Sequence, residues 1–87
     1  SPACTLAGVA KFKADGHKLN AVYLMDHEFG IKVFADEAFY AVKDTDQHKP
    51  QVTPFLLKRD AAAYAKNTGG KLATYEQALS EFQPASK

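Results

Sequence analysis

Residues 22–30 read VYLMDHEFG, an apolar run that leads into a polar turn. A strand predicted over residues 20–25 places Val22 and Leu24 on one face and Tyr23 and Met25 on the other. Because both faces are apolar, we expect this strand to be covered on both sides. Residues 26–30 then turn the chain, and Gly30 permits the positive φ that such a turn often requires.

Two more extended runs follow this turn, at residues 31–34 and 38–43, and their aromatic and branched side chains suit a pleated surface. We expect these two runs to be antiparallel neighbours. Residues 44–51 contain no apolar side chain and include a proline, which is typical of a loop. Pro54 cannot donate a ladder hydrogen bond, so the strand that contains it is predicted at a sheet edge.

The first segment of the chain allows two interpretations. In residues 5–14 the apolar side chains of Leu6, Val9 and Ala10 recur at helical spacing, which favours a helix. The alternative is a strand over residues 9–13, because VAKFK alternates and the following Asp15-Gly16 is a hairpin signal.

The C-terminal third predicts two helices with clear ends. The first spans residues 60–67, and Gly69-Gly70 ends it through a glycine cap. After an extended link at residues 71–73, Thr74 and Gln77 have the spacing of a capping box. Apolar side chains then repeat at helical spacing as far as Phe82, and Pro84 closes this helix.

Composition indicates one small folded domain over residues 1–87. The 87 residues carry a formal charge of +1, and 46% of them are hydrophobic. This balance argues against a nucleic-acid partner, and no apolar run approaches the roughly 18 residues that a membrane span needs. The predicted fold is α+β: a small antiparallel sheet of three to four strands with two or three helices packed on one face.

The residue types that could carry chemistry point to a soft metal. Copper(I) prefers thiolate and thioether donors and accepts imidazole, so the candidate ligands are Cys4, Met25 and His27, with His17 or His48 assisting. Met25 and His27 would project to the same side if the strand continued through Asp26. The alternatives are structural: a buried Cys4, Met25 as core packing and His27 as a solvated turn residue.

The order of segments resembles the C-terminal half of the NosL family, the nitrous oxide reductase accessory lipoproteins. The likeness covers about residues 20–82. The matching stretches are AVYLMD (21–26), VFA (33–35), AFYAV (38–42), TPF (53–55), Ala62, Tyr64, Ala65 and GGKLATYEQAL (69–79).

The resemblance implies a copper(I)-binding accessory protein or metallochaperone of the bacterial cell envelope, periplasmic or otherwise exported. It also implies a small mixed α/β domain and a copper-accepting protein as the partner. Under this resemblance Cys4 corresponds to a family cysteine that opens a helix. The Cys-x-x-Cys-Gly-Met segment of the family has no counterpart in this chain.

Two other classes of function are weighed beside the copper carrier. The first is a non-catalytic protein–protein interaction module without metal, which would dock a partner through the edge strand near Pro54 or through exposed aromatic side chains. Phe29, Phe34, Phe39 and Tyr40 provide enough ring area both for a core and for a contact patch. The second is an enzyme, which we do not predict because 87 residues leave little room to enclose a pocket.

Overall fold

The stretch VYLMDHEFG forms the first strand and the turn of a two-stranded hairpin. The computed structural model describes residues 1–16, 21–45 and 50–82. Strand β1 (Tyr23–Met25) pairs antiparallel with β2 (Lys32–Phe34), and Leu24 lies opposite Val33. The Gly30 N–H donates to the Asp26 carbonyl at 3.0 Å, and Gly30 has a φ of 70°. The predicted turn is therefore confirmed, and its glycine has the expected positive φ.

The second sheet contains three antiparallel strands in the order β4-β3-β5. Its central strand is β3 (Phe39–Asp44), flanked by β4 (Pro50–Phe55) and β5 (Lys71–Ala73). Pro54 lies in β4 at a sheet edge, as predicted. The predicted loop 44–51 is shorter in the structure, because β3 extends to Asp44 and β4 begins at Pro50, and these two residues are paired.

The runs at residues 31–34 and 38–43 are not neighbours, which corrects the predicted pairing. β2 pairs with β1, whereas β3 pairs with β4 and β5. The cause is a helical-type turn after β2, in which the Phe34 carbonyl accepts hydrogen bonds from the N–H groups of Glu37 and Ala38, both at 3.0 Å. This turn directs the chain out of the hairpin and into the second sheet instead of folding it back along β2.

Three helices are present in the described ranges: α1 (Pro2–Ala14), α2 (Lys58–Thr68) and α3 (Tyr75–Ser80). The helical interpretation of the first segment is thus confirmed over the strand. Gly69 ends α2 in the left-handed conformation, and Thr74 and Gln77 form both bonds of the predicted capping box. Pro84, the predicted end of the last helix, lies outside the described residues. Of the helices in these ranges, none has the length and apolar character needed to cross a membrane.

The α+β class is confirmed, but the helices cover both faces of the three-stranded sheet. Alternate residues of β3 face opposite ways, so Tyr40 and Val42 pack in one core while Ala41 packs in another. The first core includes side chains of α1, α3 and the hairpin, and the second includes Ala61 and Ala65 of α2. The prediction of one sheet with helices on one face is corrected accordingly: β3 is apolar on both faces and needs cover on each.

Two buried polar side chains attach the hairpin to the rest of the fold. Asp26 is only 2% exposed, and its carboxylate accepts a hydrogen bond from the Phe29 N–H within the turn and another, at 2.7 Å, from the Leu56 N–H between β4 and α2. Tyr40 of β3 donates its hydroxyl to the carbonyl of Ala35, the residue after β2. Burial raises the pKa of the Tyr40 phenol, so the hydroxyl stays protonated as a donor.

Replacing Asp26 by Asn should lower the free energy of unfolding by about 2 kcal/mol, because the amide keeps one acceptor oxygen and turns its NH₂ group towards a backbone N–H. Urea denaturation measures the change. Glu28→Gln is the matched control, since Glu28 is exposed in the same turn and its loss of charge should cost less than about 0.5 kcal/mol. Equal urea midpoints for Asp26→Asn and the wild type would contradict the role given to Asp26.

Two glycines should respond to alanine in opposite directions. A Cβ at Gly70 would lie 2.6 Å from the Val42 carbonyl oxygen, so Gly70→Ala must displace backbone and should lower the melting temperature. A Cβ at Gly8, in the middle of α1, meets nothing within 4 Å, and Gly8→Ala should stabilise the protein by about 0.5–1 kcal/mol through helix propensity. Calorimetry of both variants measures their melting temperatures and checks the two predictions. A Gly70→Ala protein as stable as Gly8→Ala would contradict the close approach of the Gly70 backbone to β3.

Candidate functional site

The hairpin presents one face to the core and one to solvent. Tyr23, Met25, Lys32 and Phe34 form the second face, here called the outer face. Tyr23, Met25 and Phe34 are respectively 50%, 56% and 44% exposed. Soluble proteins scatter single apolar side chains over their surfaces, but three adjacent large ones on one short hairpin form a patch of the kind that marks interaction sites.

The side chains of the outer face are ordered by contacts with each other. The rings of Tyr23 and Phe34 lie directly opposite across the hairpin, with their centroids 4.8 Å apart. The Lys32 ammonium lies 5.4 Å from the centroid of the Tyr23 ring. Such cross-strand and cation–π contacts limit the rotamers of the three side chains. The face is therefore partly organised before any partner binds.

Exposed apolar residues lie beside the outer face along the chain, and one charge lies within it. Phe29 and Ile31, in and just after the turn, are also largely exposed. Lys32 is the single charged member of the face. The outer face is therefore an apolar surface with one positive charge, in the pair next to the turn.

The expectation that strand 20–25 is covered on both sides is wrong. Leu24 and Asp26 share the inward side and are buried, so alternation places Tyr23 and Met25 in solvent. Only one signal in the sequence could have revealed this: Lys32, which lies opposite Met25 on the partner strand. That signal becomes readable only once the hairpin register is known.

Two of the three predicted copper ligands lie on the hairpin but are directed differently. Strand β1 ends at Met25 and the turn starts at once, so the extended conformation that would align Met25 with His27 does not continue. The His27 ring instead packs edge-on against Tyr64 of α2 and Phe55 of β4, with centroids 5.0 and 5.5 Å away. Met25 faces solvent on the outer face.

The third predicted ligand belongs to another element. Cys4 lies in the first turn of α1, as the resemblance implied, with its thiol free and exposed. It is on the side of the helix opposite the buried Leu6, Val9 and Ala10. The structure thus places Cys4 and Met25 on outward surfaces of two different elements.

The remaining metal candidates, His17 and His48, lie outside the described residues. Within residues 1–16, 21–45 and 50–82, no three side chains of His, Cys, Asp or Glu are grouped so that they could hold a metal ion. Copper(I) binding by Cys4, Met25 and His27 stays a prediction. Comparison of the chain with protein-family models, with curated proteins and with solved structures finds no match.

Proposed function

We propose that the protein is a non-catalytic interaction module that binds an apolar segment of another protein on the outer face of its hairpin. The observation that carries this proposal is the exposure of Tyr23, Met25 and Phe34 on one rigidly attached surface. Aromatic residues and methionine are enriched in the cores of protein interfaces relative to the rest of the surface. Recognition by this face requires neither a metal nor an enclosed pocket.

The attachment of the hairpin supports this proposal. Asp26 holds the turn of the hairpin to the β4–α2 junction through a partly buried hydrogen bond, and Tyr40 of β3 holds its other end through a buried one. The backbone under the outer face therefore does not have to become ordered when a partner binds, which reduces the entropy lost on association.

A library of displayed random linear peptides, selected for binding to the intact, reduced protein, tests this proposal. A chelator is present during the selection, so that binding does not depend on metal. We expect the library to yield peptides rich in apolar residues. Tyr23→Ser combined with Phe34→Ser should weaken their binding by about tenfold or more, because buried aromatic side chains dominate interface energies. A far-UV circular dichroism spectrum equal to that of the wild type establishes that the double variant is folded.

Leu56→Ser is the control, because Leu56 is also an exposed large hydrophobic residue but lies outside the outer face. It should leave peptide affinity within about twofold of the wild type. The proposal fails if the library yields no specific binder, or if Leu56→Ser weakens binding as much as the outer-face variant does.

Copper(I) binding in the cell envelope, with transfer to an accepting protein, is the second candidate. It is favoured by the accessibility of two soft donors, the exposed Met25 thioether and the exposed Cys4 thiol. A carrier of this kind needs donors that a partner can reach, so that the ion passes by ligand exchange.

Anaerobic titration with copper(I) against a competing chelator tests whether the two sulfur donors share an ion. Because Cys4 and Met25 lie on different elements, we expect the effects of Cys4→Ser and Met25→Leu on affinity to be additive in a double-mutant cycle. His27→Asn should then leave both contributions unchanged. A single substitution that removes as much affinity as the double variant would establish one shared site and contradict this expectation.

A further inference from the structure

We infer that the partner of the outer face is an extended segment that adds to the hairpin as a third strand, along the open edge of β2, with an acidic side chain facing Lys32. This inference rests on the proposed function and specifies the conformation and charge of the bound segment. It is derived from the hydrogen bonds that β2 already makes and those that it leaves available.

The ladder of the hairpin determines where the backbone groups of β2 point. The Ala35 N–H donates to the Val22 carbonyl at 2.8 Å, and the Asp26 N–H donates to the Ile31 carbonyl at 2.7 Å. Hydrogen-bonded and non-hydrogen-bonded pairs alternate along an antiparallel ladder. The backbone groups of Lys32, opposite Met25, and of Phe34 therefore point away from β1.

These outward groups form a short open edge. The Phe34 carbonyl is already used, because it accepts the N–H groups of Glu37 and Ala38 in the turn that follows. Three of these groups make no hydrogen bond within residues 1–16, 21–45 and 50–82: the N–H and the carbonyl of Lys32 and the N–H of Phe34. β2 is only three residues long and carries Lys32, two features that discourage pairing at edge strands, so a segment added here has to match the lysine charge.

A separate segment fits this edge better than a second copy of β2. Two copies paired antiparallel about Val33 would oppose each Lys32 to the other copy's Phe34, and half of their bonds would need the Phe34 carbonyl that is already occupied. A free strand with unpaired groups of its own can use all three available positions. The edge therefore favours addition of a strand from another protein.

Lys32 determines the charge of the added strand. Lys32 and Phe34 point to the same side as the exposed Tyr23 and Met25, so the side chains of an added strand continue the outer face on that side. Opposite charges on directly paired residues of neighbouring strands attract. A segment with one carboxylate opposite Lys32 and apolar neighbours on the same face matches both the charge and the apolar surface.

Amide hydrogen exchange, followed by NMR on the intact chain, tests the added strand with eight-residue capped peptides taken from the display selection. The amides of Lys32 and Phe34 should exchange fast in the free protein and at least about tenfold more slowly in the complex. Tyr23 and Met25, whose amides point away from β2 on the opposite edge, serve as internal controls and should not change.

Charge reversal tests the predicted acidic residue. Lys32→Glu should weaken the binding of the acidic peptide by about tenfold. Replacing the acidic residue of the peptide by lysine should restore binding to the Lys32→Glu variant but not to the wild type. Lys32→Gln, which keeps the strand and loses the charge, should have an affinity for the acidic peptide between those of the wild type and Lys32→Glu.

The outcomes separate this inference from the proposed function. If peptides bind through Tyr23 and Phe34 while the Lys32 and Phe34 amides stay unprotected, the added strand is overturned and the docking face stands. If these amides are protected in the free protein and sedimentation gives the mass of a dimer, the edge pairs with a second copy instead. If no specific peptide is selected, the proposed function fails first.

Discussion

The fold depends on the carboxylate of Asp26, an acidic side chain that is almost completely buried. A buried carboxylate is costly unless hydrogen bonds replace the water that it has lost, and here the backbone N–H groups of Phe29 and Leu56 do so. One of these donors closes the turn and the other lies 30 residues away, just before the N-cap of α2. A single side chain thus forms the hairpin turn and attaches it to the β4–α2 junction.

The position of Asp26 also benefits α2. The N-cap of this helix, Leu57, makes no side-chain capping bond. The Asp26 carboxylate accepts a hydrogen bond from the N–H of Leu56, the residue before this N-cap, and brings a negative charge to the positive end of the helix dipole. A second link nearby, the His27 N–H to the Pro54 carbonyl at 2.9 Å, joins the turn to the outer edge of β4. The turn is therefore held to β4 and its junction with α2 by two hydrogen bonds, while Tyr40 holds the other end of the hairpin.

The same constraint decides which side chains reach solvent. Because strand side chains alternate, an inward Asp26 requires an inward Leu24 and an outward Tyr23 and Met25. A slip by one residue would expose the hydrogen-bonded carboxylate and bury the outer face, so the slipped register is excluded energetically. The exposed Met25 thioether, the apolar outer face and the different directions of Met25 and His27 all follow from the inward position of Asp26. His27, beyond the strand, is then free to pack on Tyr64.

Local features of the structure could be predicted from the sequence because each depends on neighbours within about four residues. The glycine that ends α2, the capping box of Thr74 and Gln77, the turn at Gly30 and the edge position of Pro54 are of this kind. Tertiary structure alone decided the pairing of β1 with β2, the helices on both faces of β3 and the solvent side of the hairpin. These depend on contacts between distant residues, above all the hydrogen bond from Leu56 to Asp26, for which no local pattern of residues provides a signal.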